Sequence, residues 1–239
     1  MPATFPRVGE GPAVGGSGAP PKAWLSWSSG KDAAYALHEV RRAGTYEVVR
    51  LLTTVTEAFG RVSMHGVREQ LLDAQAAAVG LPLEKVLIPY PCPNETYERE
   101  MRRVLASALA EGVHHIAFGD LFLTEVRAYR EDRLRPLGVH AVFPLWGRGT
   151  AGLAREMIGS GVRARVCCLD PRHLPLSFAG RELDLDFLAE LPDGVDPCGE
   201  NGEFHTFVTD GPGFRAPVRV RVGETVERDG FVFTDLLPG

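Results

Sequence analysis

The sequence predicts an α/β fold, in which a twisted parallel sheet carries helices on both faces and a smaller α+β domain follows. Short apolar runs alternate with longer amphipathic segments up to about residue 146. Beyond that point come a Gly-rich turn and several short β-type runs. Because strands that alternate with helices pair in parallel, we expect an α/β domain at residues 23–146 and an α+β domain with a β-rich tail at residues 147–239.

The predicted strands of the first domain are short apolar runs bounded by polar or Gly-containing loops. They are Ala23–Trp27, Glu47–Val55, Glu84–Pro89, His115–Gly119 and Ala141–Pro144. The predicted helices repeat apolar residues every three or four positions, and Gly44, Gly80 and Gly112 close three of them. These helices are Asp32–Ala43, Val67–Val79, Glu95–Glu111 and Thr124–Arg133.

The second domain is predicted from shorter signals. They are a helix at Thr150–Ser160, a strand at Arg163–Leu169, a short helix near Leu183–Leu191 and tail strands at Phe204–Val208, Val218–Val222 and Phe231–Thr234. In open parallel sheets, ligands bind at the carboxyl ends of the strands. The loops that follow the strands of the first domain are therefore the expected place for a functional site.

The composition argues against several classes of protein. The 239 residues have a net charge of -5 and are 44% hydrophobic, which is typical of a soluble globular protein. No stretch is densely basic, as a nucleic-acid binder would require, and no apolar run is long enough to span a bilayer. The four cysteines form no CxxC pair, which argues against zinc and is consistent with a reducing cytoplasm. The Gly- and Pro-rich residues 1–22 are predicted to be a disordered leader.

A small polar turn, 28-SSGKD-32, separates the first predicted strand from the first predicted helix. Backbone N–H groups at a helix start favour an anion, usually a phosphate. Gly30 would let the backbone approach such a ligand, and Lys31 would add a mobile positive charge. Asp32 can cap the helix or help to hold a metal bound to a nucleotide. The alternative is an ordinary turn capped by serine and aspartate.

Residues Ser28 to Ala33 resemble the SGGxDS pyrophosphate loop of the ATP pyrophosphatases. Ser29 replaces the usual glycine, which is tolerable where that residue needs no positive φ, and Ala33 replaces the final serine. Four segments, in order and spacing, identify the chain as a member of the diphthine–ammonia ligase family from Ala23 to about Val208. They are 26-SWSSGKD-32, 64-MHGVREQLLDAQAAAVGLPL-83, 118-FGDLFLTEVRAYREDRLRPLG-138 with 143-FPLWG-147, and 196-DPCGENGEFHTFV-208.

The resemblance implies a HUP-type, ATP-pyrophosphatase-like fold and an ATP-dependent reaction. ATP is cleaved between its α and β phosphates, a carboxylate becomes an acyl-adenylate, and ammonium attacks it to give an amide, AMP and pyrophosphate. The family's substrate is diphthine, a modified histidine on translation elongation factor two. The implied ligands are therefore ATP, ammonium and a carboxylate, with magnesium carried by ATP and Asp32 as its candidate protein ligand.

The loop 196-DPCGENGEFHTF-207 carries the predicted catalytic residues. Carboxylates in a tight loop can attract an ammonium ion, and one of them could take the proton that is lost as ammonia attacks. Glu200, Asn201 and Glu203 match the family's E-[HN]-G-E loop. Asparagine at 201 cannot act as a base, and His205 is the neighbouring imidazole. The alternative for this stretch is a Gly-rich hairpin with surface carboxylates.

Other candidate residues lie in the loops after strands. His65 is a candidate contact to nucleotide or substrate, Gly119 would permit close approach of a ribose or base, and Asp120 would either orient the acceptor or cap the next helix. Arg127 and Arg130 lie on neighbouring turns of one helical face and could bind pyrophosphate or an acidic partner, or form a solvated basic face.

Two other functions are compatible with these motifs. The departures at Ser29 and Ala33 leave room for an ATP-binding sensor with little turnover. A related adenylating enzyme of the same superfamily could act on a small molecule or on RNA, although the acidic balance argues mildly against RNA.

Overall fold

The computed structural model describes residues 19–239. The disordered leader predicted at residues 1–22 lies outside this part of the chain except for its last four residues, and Lys22 already belongs to the first strand. Within the described part, no helix combines the length and the apolar character needed to cross a membrane.

Ten strands and six α-helices make up the described fold. In chain order they are β1 (Lys22–Ser26), α1 (Lys31–Ala43), β2 (Glu47–Thr56), β3 (Arg61–Val62), α2 (Glu69–Val79), β4 (Leu83–Ile88), α3 (Asn94–Ala110), β5 (His115–Ala117), α4 (Thr124–Leu134), β6 (His140–Val142), α5 (Thr150–Gly159), β7 (Arg163–Leu169), α6 (Leu185–Ala189), β8 (Phe204–Asp210), β9 (Val220–Arg228) and β10 (Phe231–Pro238).

The first sheet is parallel apart from one short strand. Strands β4, β2, β1, β5 and β6 pair side by side in that order, all in parallel. The two-residue strand β3 adds an antiparallel partner at the end of β2. The order reverses between β1 and β5, and such a switch point opens a crevice at the carboxyl ends of the strands. The predicted α/β class is therefore confirmed.

Helices cover both faces of this sheet because neighbouring strand residues point to opposite sides. On β1, Leu25 packs into the core that includes buried residues of α1 and α2, whereas Trp24 packs into the core formed with α3 and α4. The first of these cores continues into the second sheet through Phe204 and Val232. The two sheets thus share one hydrophobic core on the α1 side.

The second sheet is antiparallel, with the order β8, β7, β10, β9. Strand β7 follows the predicted bounds, while β9 runs to Arg228, well beyond the predicted Val222. Most residues of β9 are exposed. The strand therefore shows little of the alternation between apolar and polar residues on which strand prediction depends.

Glycines lie at the ends of three helices, where the sequence predicted them. Gly44 and Gly80 adopt left-handed conformations, with φ of 64° and 70°, directly after α1 and α2. Gly112 has φ of 74° and follows Glu111, the residue that caps α3.

The short strand β3 was missed because two residues inside the loop 56–66 show no periodicity.

Candidate active site

Two adjoining cavities open at the carboxyl edge of the first sheet, beyond the ends of the neighbouring strands β1 and β5. The first, here called the apolar cavity, has a volume of about 400 Å³ and lies between α3 and α4. The second, here called the polar cavity, has a volume of about 330 Å³ and lies between the β1–α1 loop and the segment 198–206. Both are lined by Ser26, Ser28, Ser63, Phe118 and Arg130, so they form one continuous cleft.

The β1–α1 loop holds Ser29 in a left-handed conformation, with φ of 73°. This differs from the condition under which serine would be tolerated in place of glycine, because the position does need a positive φ. The Ser29 side chain is fully buried, and its hydroxyl has no hydrogen-bond partner within residues 19–239. A left-handed non-glycine residue with an unpaired buried hydroxyl is a source of strain in the loop.

Replacing Ser29 with glycine is expected to stabilise the protein. Relief of the left-handed conformation and loss of the unpaired hydroxyl outweigh the added chain entropy of glycine by roughly 0.5–1 kcal/mol, which corresponds to a rise in Tm of about 2 °C for a chain of this size. Thermal unfolding of Ser29→Gly beside Ser29→Ala measures this, because alanine removes only the hydroxyl. A lower Tm for Ser29→Gly would show that the loop is not strained.

A side chain at Gly30 would be crowded by the protein itself. A Cβ atom at this position would lie 3.1 Å from Cε1 of His65 and 3.2 Å from the carbonyl oxygen of Thr206. The next residue is fixed by the same strand, since the Lys31 N–H donates to Thr206 Oγ1 at 3.1 Å. Strand β8 therefore closes against the loop, while Ser28, Gly30 and Lys31 still line the polar cavity.

Lys31 is not the mobile charge that the sequence suggested. Its side chain is buried, and Nζ donates to Asp32 Oδ2 at 2.8 Å and to the carbonyl oxygen of Cys198. Burial alone would lower the pKa of Lys31, but Asp32 together with Cys198 and Glu200 outweighs burial and raises that pKa, so the ammonium keeps its charge. Lys31 thus links the β1–α1 loop to the segment around Cys198.

Asp32 faces the polar cavity with one oxygen uncommitted. Its Oδ2 pairs with Lys31, whereas its buried Oδ1 has no hydrogen-bond partner in the described chain. Residues 19–239 contain no group of three or more His, Cys, Asp or Glu side chains that could hold a metal ion by themselves. Magnesium bound through a nucleotide needs only one or two carboxylates in addition to the phosphates, and Asp32 fits that requirement.

The three predicted catalytic residues of the 196–203 loop occupy different environments. Glu203 is buried and accepts from the N–H of Asp196 at 2.9 Å, from the N–H of Asn201 at 3.0 Å and from Asn201 Nδ2 at 3.0 Å. Burial would raise the pKa of Glu203, but these donors together lower it. Asn201 is exposed and does not line the cleft. Glu203 and Asn201 hold the loop together, and only Glu200 lines the polar cavity.

Glu200 has the properties of a general base. Its Oε1 accepts from the N–H of Leu121 at 2.7 Å, which fixes the carboxyl group at the end of β5. Burial raises the pKa of Glu200 to about 7, the Leu121 N–H opposes this, and the nearby Asp32 adds to it. A carboxyl group with a pKa near the working pH can both accept and return a proton.

His65 and His205 form a pair on another wall of the polar cavity, with ring centroids 4.6 Å apart. Burial lowers the pKa of both, that of His205 to about 4, with Lys31 adding to the effect. Both imidazoles are therefore neutral near pH 7. Nδ1 of His65 lies 3.4 Å from the carbonyl oxygen of Thr206, so the ring is also tied to β8.

Gly119 and Asp120 line the polar cavity, and each also has a structural role within the protein. A Cβ atom at Gly119 would lie 2.8 Å from the backbone carbon of Asp32, so glycine is needed for the approach of α1. Asp120 does not cap α4, whose N-cap is Leu123; it binds Arg130 through two contacts of 2.6 and 3.0 Å.

The two candidate arginines, Arg127 and Arg130, lie in different surroundings. The guanidinium of Arg130 lies 4.4 Å from the ring centroid of Phe118 and borders both cavities. Arg127 instead pairs with Glu131 at 2.8 Å and stacks on Phe143 and Trp146, outside the cleft. Arg130 is therefore placed to meet a ligand, and Arg127 is not.

Several residues that line or support the cleft were missed in the sequence. Thr206 fixes Lys31, and Gln75, buried in α2, donates to the loop carbonyl of Ser29 at 3.0 Å. The apolar cavity is lined by residues of α3 and α4 that were not singled out individually, among them Tyr97, Met101, Leu105 and Leu134. A stripe of apolar residues gives no signal that separates a cavity wall from a packed core.

Comparisons with known proteins bear on both halves of the chain. Residues 22–141 match the family model of the diphthamide synthase N-terminal domain, and residues 149–234 match that of the diphthamide synthase C-terminal domain. A diphthine–ammonia ligase of Danio rerio is 30% identical over 221 residues, which cover 83% of this chain and 86% of the relative. The enzymes of the same name from Homo sapiens and Bos taurus are each 28% identical, covering 83% and 86% of this chain and 82% and 85% of the relatives.

Proposed function

Because the chain belongs to the diphthamide synthase family and is an amide-forming ligase, we propose that it activates a carboxylate with ATP and joins it to ammonia. The acceptor that the relatives' name supports is diphthine, and we propose the diphthine of elongation factor two as the substrate. The observation that carries the mechanism is the position of Glu200, a carboxyl group with a pKa of about 7, in the same cavity as the β1–α1 loop.

The cleft offers separate places for the parts of ATP. The apolar cavity has the size and the apolar and aromatic walls of a small-ligand site, which suits a nucleoside. The start of α1 lines the adjoining polar cavity, where the dipole of this 13-residue helix favours phosphates. Arg130 at the boundary between the cavities would face the same phosphates. This arrangement leaves the part of the polar cavity near Glu200 for the reacting carboxylate and ammonia.

Magnesium would accompany ATP and neutralise phosphate charge. Asp32 would hold it through its uncommitted Oδ1. Lys31 stays bound to the other oxygen of Asp32, which orients that carboxyl group and opposes the rise in its pKa that burial causes.

Ammonium must lose a proton before its nitrogen can attack an acyl-adenylate. Glu200 is suited to take it, because its pKa of about 7 makes it a stronger base than an ordinary carboxylate while it remains largely ionised slightly above neutrality. The neutral His65 and His205 add no positive charge that would repel ammonium. The Leu121 N–H holds the Glu200 carboxylate in place through the transfer.

Labelled ATP tests the proposal directly. The protein would be incubated with α-labelled ATP, magnesium and ammonium, with and without elongation factor two that carries diphthine. We expect acceptor-dependent AMP and pyrophosphate, reduced at least tenfold in Asp32→Asn because the phosphate and metal contacts are lost. Asp193→Asn, an exposed carboxylate outside the cleft, is the control.

The other outcomes separate the alternatives. ATP binding without AMP under either condition would favour the ATP-binding sensor. AMP that appears with a small-molecule extract of the source cells, but not with elongation factor two, would retain the chemistry and replace the substrate by a small molecule.

A further inference from the structure

Gln75 of α2 is a fully buried amide that reaches three separate parts of the fold. Its Oε1 accepts from Trp27 Nε1 at 2.9 Å, at the end of β1. Its Nε2 donates to the carbonyl oxygen of Ser29 at 3.0 Å and to that of Val208 at 2.6 Å. These contacts use three of the four hydrogen-bonding positions of the amide, and they join the end of β1 and the loop after it to β8.

The contact to Ser29 has a specific consequence. The carbonyl of Ser29 accepts from Gln75 and also from the N–H of Val208 at 3.0 Å. These two hydrogen bonds hold the peptide group that follows Ser29, whose φ of 73° is left-handed. A non-glycine residue stays in that conformation only where its surroundings over-determine it. Gln75 supplies one of the two donors and also fixes β8 through Val208.

We propose that Gln75 is a positioning residue for the ligase reaction: it locks the β1–α1 loop in the conformation that receives the phosphates of ATP. Gln75 itself lines neither cavity, so it acts through the loop. The inference rests on the proposed function, because the loop is taken to bind ATP. Glycine at position 29 would adopt the same conformation without the hydrogen bond from Gln75. The need for Gln75 therefore arises from the serine at that position.

The test uses Gln75→Met, which keeps the volume and removes all three hydrogen bonds, and measures the Kd for α,β-methylene ATP, an analogue that cannot be cleaved between the α and β phosphates. We expect the Kd to rise at least tenfold well below the Tm of the variant. Adding Ser29→Gly to Gln75→Met should return the Kd to within about threefold of that of Ser29→Gly alone, because the loop then needs no lock. Met157→Ala, a core truncation in α5 away from the loop, is the control for general destabilisation.

The outcomes are distinguishable. If the wild-type protein fails to bind the analogue, the proposed function fails. If the wild type binds and Gln75→Met binds equally well, Gln75 is only a core residue and the inference is overturned. A weakened Kd that Ser29→Gly does not restore, or an equal weakening in Met157→Ala, would likewise show that lost stability, and not the loop conformation, is responsible.

Discussion

Glu200→Gln is expected to lower the rate of amide formation by about 10²–10⁴-fold, the usual contribution of a general base. Glutamine keeps an oxygen that can accept the Leu121 N–H, so the loop should stay in place. The affinity for ATP should change little, because Glu200 is proposed to act on ammonium. The measurement is product formation with ammonium and the diphthine-bearing acceptor, with Glu224→Gln, an exposed carboxylate on β9, as the matched control.

The dependence on pH follows from the same residue. The wild-type rate should rise as the pH passes about 7, where Glu200 loses its proton, and this rise should be absent in Glu200→Gln.

The free energy of unfolding should change in the opposite direction and fall as the pH rises. A carboxyl group whose pKa is raised from 4.5 to about 7 by folding stabilises the protein below pH 4.5, and that contribution is lost as the pH rises through 7. Glu200→Gln should therefore unfold at a higher denaturant concentration than the wild type at pH 8.

Hydroxylamine, used as the nucleophile in place of ammonium, distinguishes the role of Glu200 as a base from any other role of this residue. It is already unprotonated near neutral pH, so it can attack an acyl-adenylate without a base to remove a proton first. We expect Glu200→Gln to retain most of its activity with hydroxylamine while losing that with ammonium. Equal losses with both nucleophiles would contradict the proposed role and indicate that Glu200 acts on adenylate formation.

Local signals in the sequence predicted several residues that line the cleft but not their different surroundings. The residues 28-SSGKD-32 lie between a strand and a helix, and turn chemistry of that kind is decided by neighbours in the chain. The sequence could not separate Glu200 from Glu203, because both belong to one short loop. The structure turns Glu203 inward to the N–H groups of Asp196 and Asn201, and leaves Glu200 facing the cavity.

Long-range contacts account for the remaining differences. Lys31 was expected to be mobile, yet its ammonium is bound by the carbonyl of Cys198, 167 positions away. Gln75 interrupts an apolar helical face as an ordinary polar residue would, and its partner Val208 lies 133 positions away. Periodicity and motif spacing report on local structure, so they carry no information about pairings of this kind.

Gly119→Ala is expected to be among the most destabilising single changes at the cleft. Its Cβ atom would lie 2.8 Å from the backbone carbon of Asp32 and 2.9 Å from the nitrogen of Ala33, and neither atom can move without shifting α1. Overpacking against backbone should lower the free energy of unfolding by about 3 kcal/mol. The displaced start of α1 should also weaken ATP binding. Denaturant unfolding and the Kd for α,β-methylene ATP measure the two effects.

Gly152→Ala gives the matched control, because the same substitution should there have the opposite sign. Gly152 lies inside α5, and a Cβ atom at this position would meet nothing within 4 Å. Alanine in place of glycine within a helix raises stability by about 0.5–1 kcal/mol. If Gly119→Ala weakened ATP binding without loss of stability, Gly119 would be required by the ligand, as the sequence alone suggested. The combined loss that we expect would instead assign the glycine to the contact between β5 and α1, which holds the phosphate-binding end of the helix against the sheet.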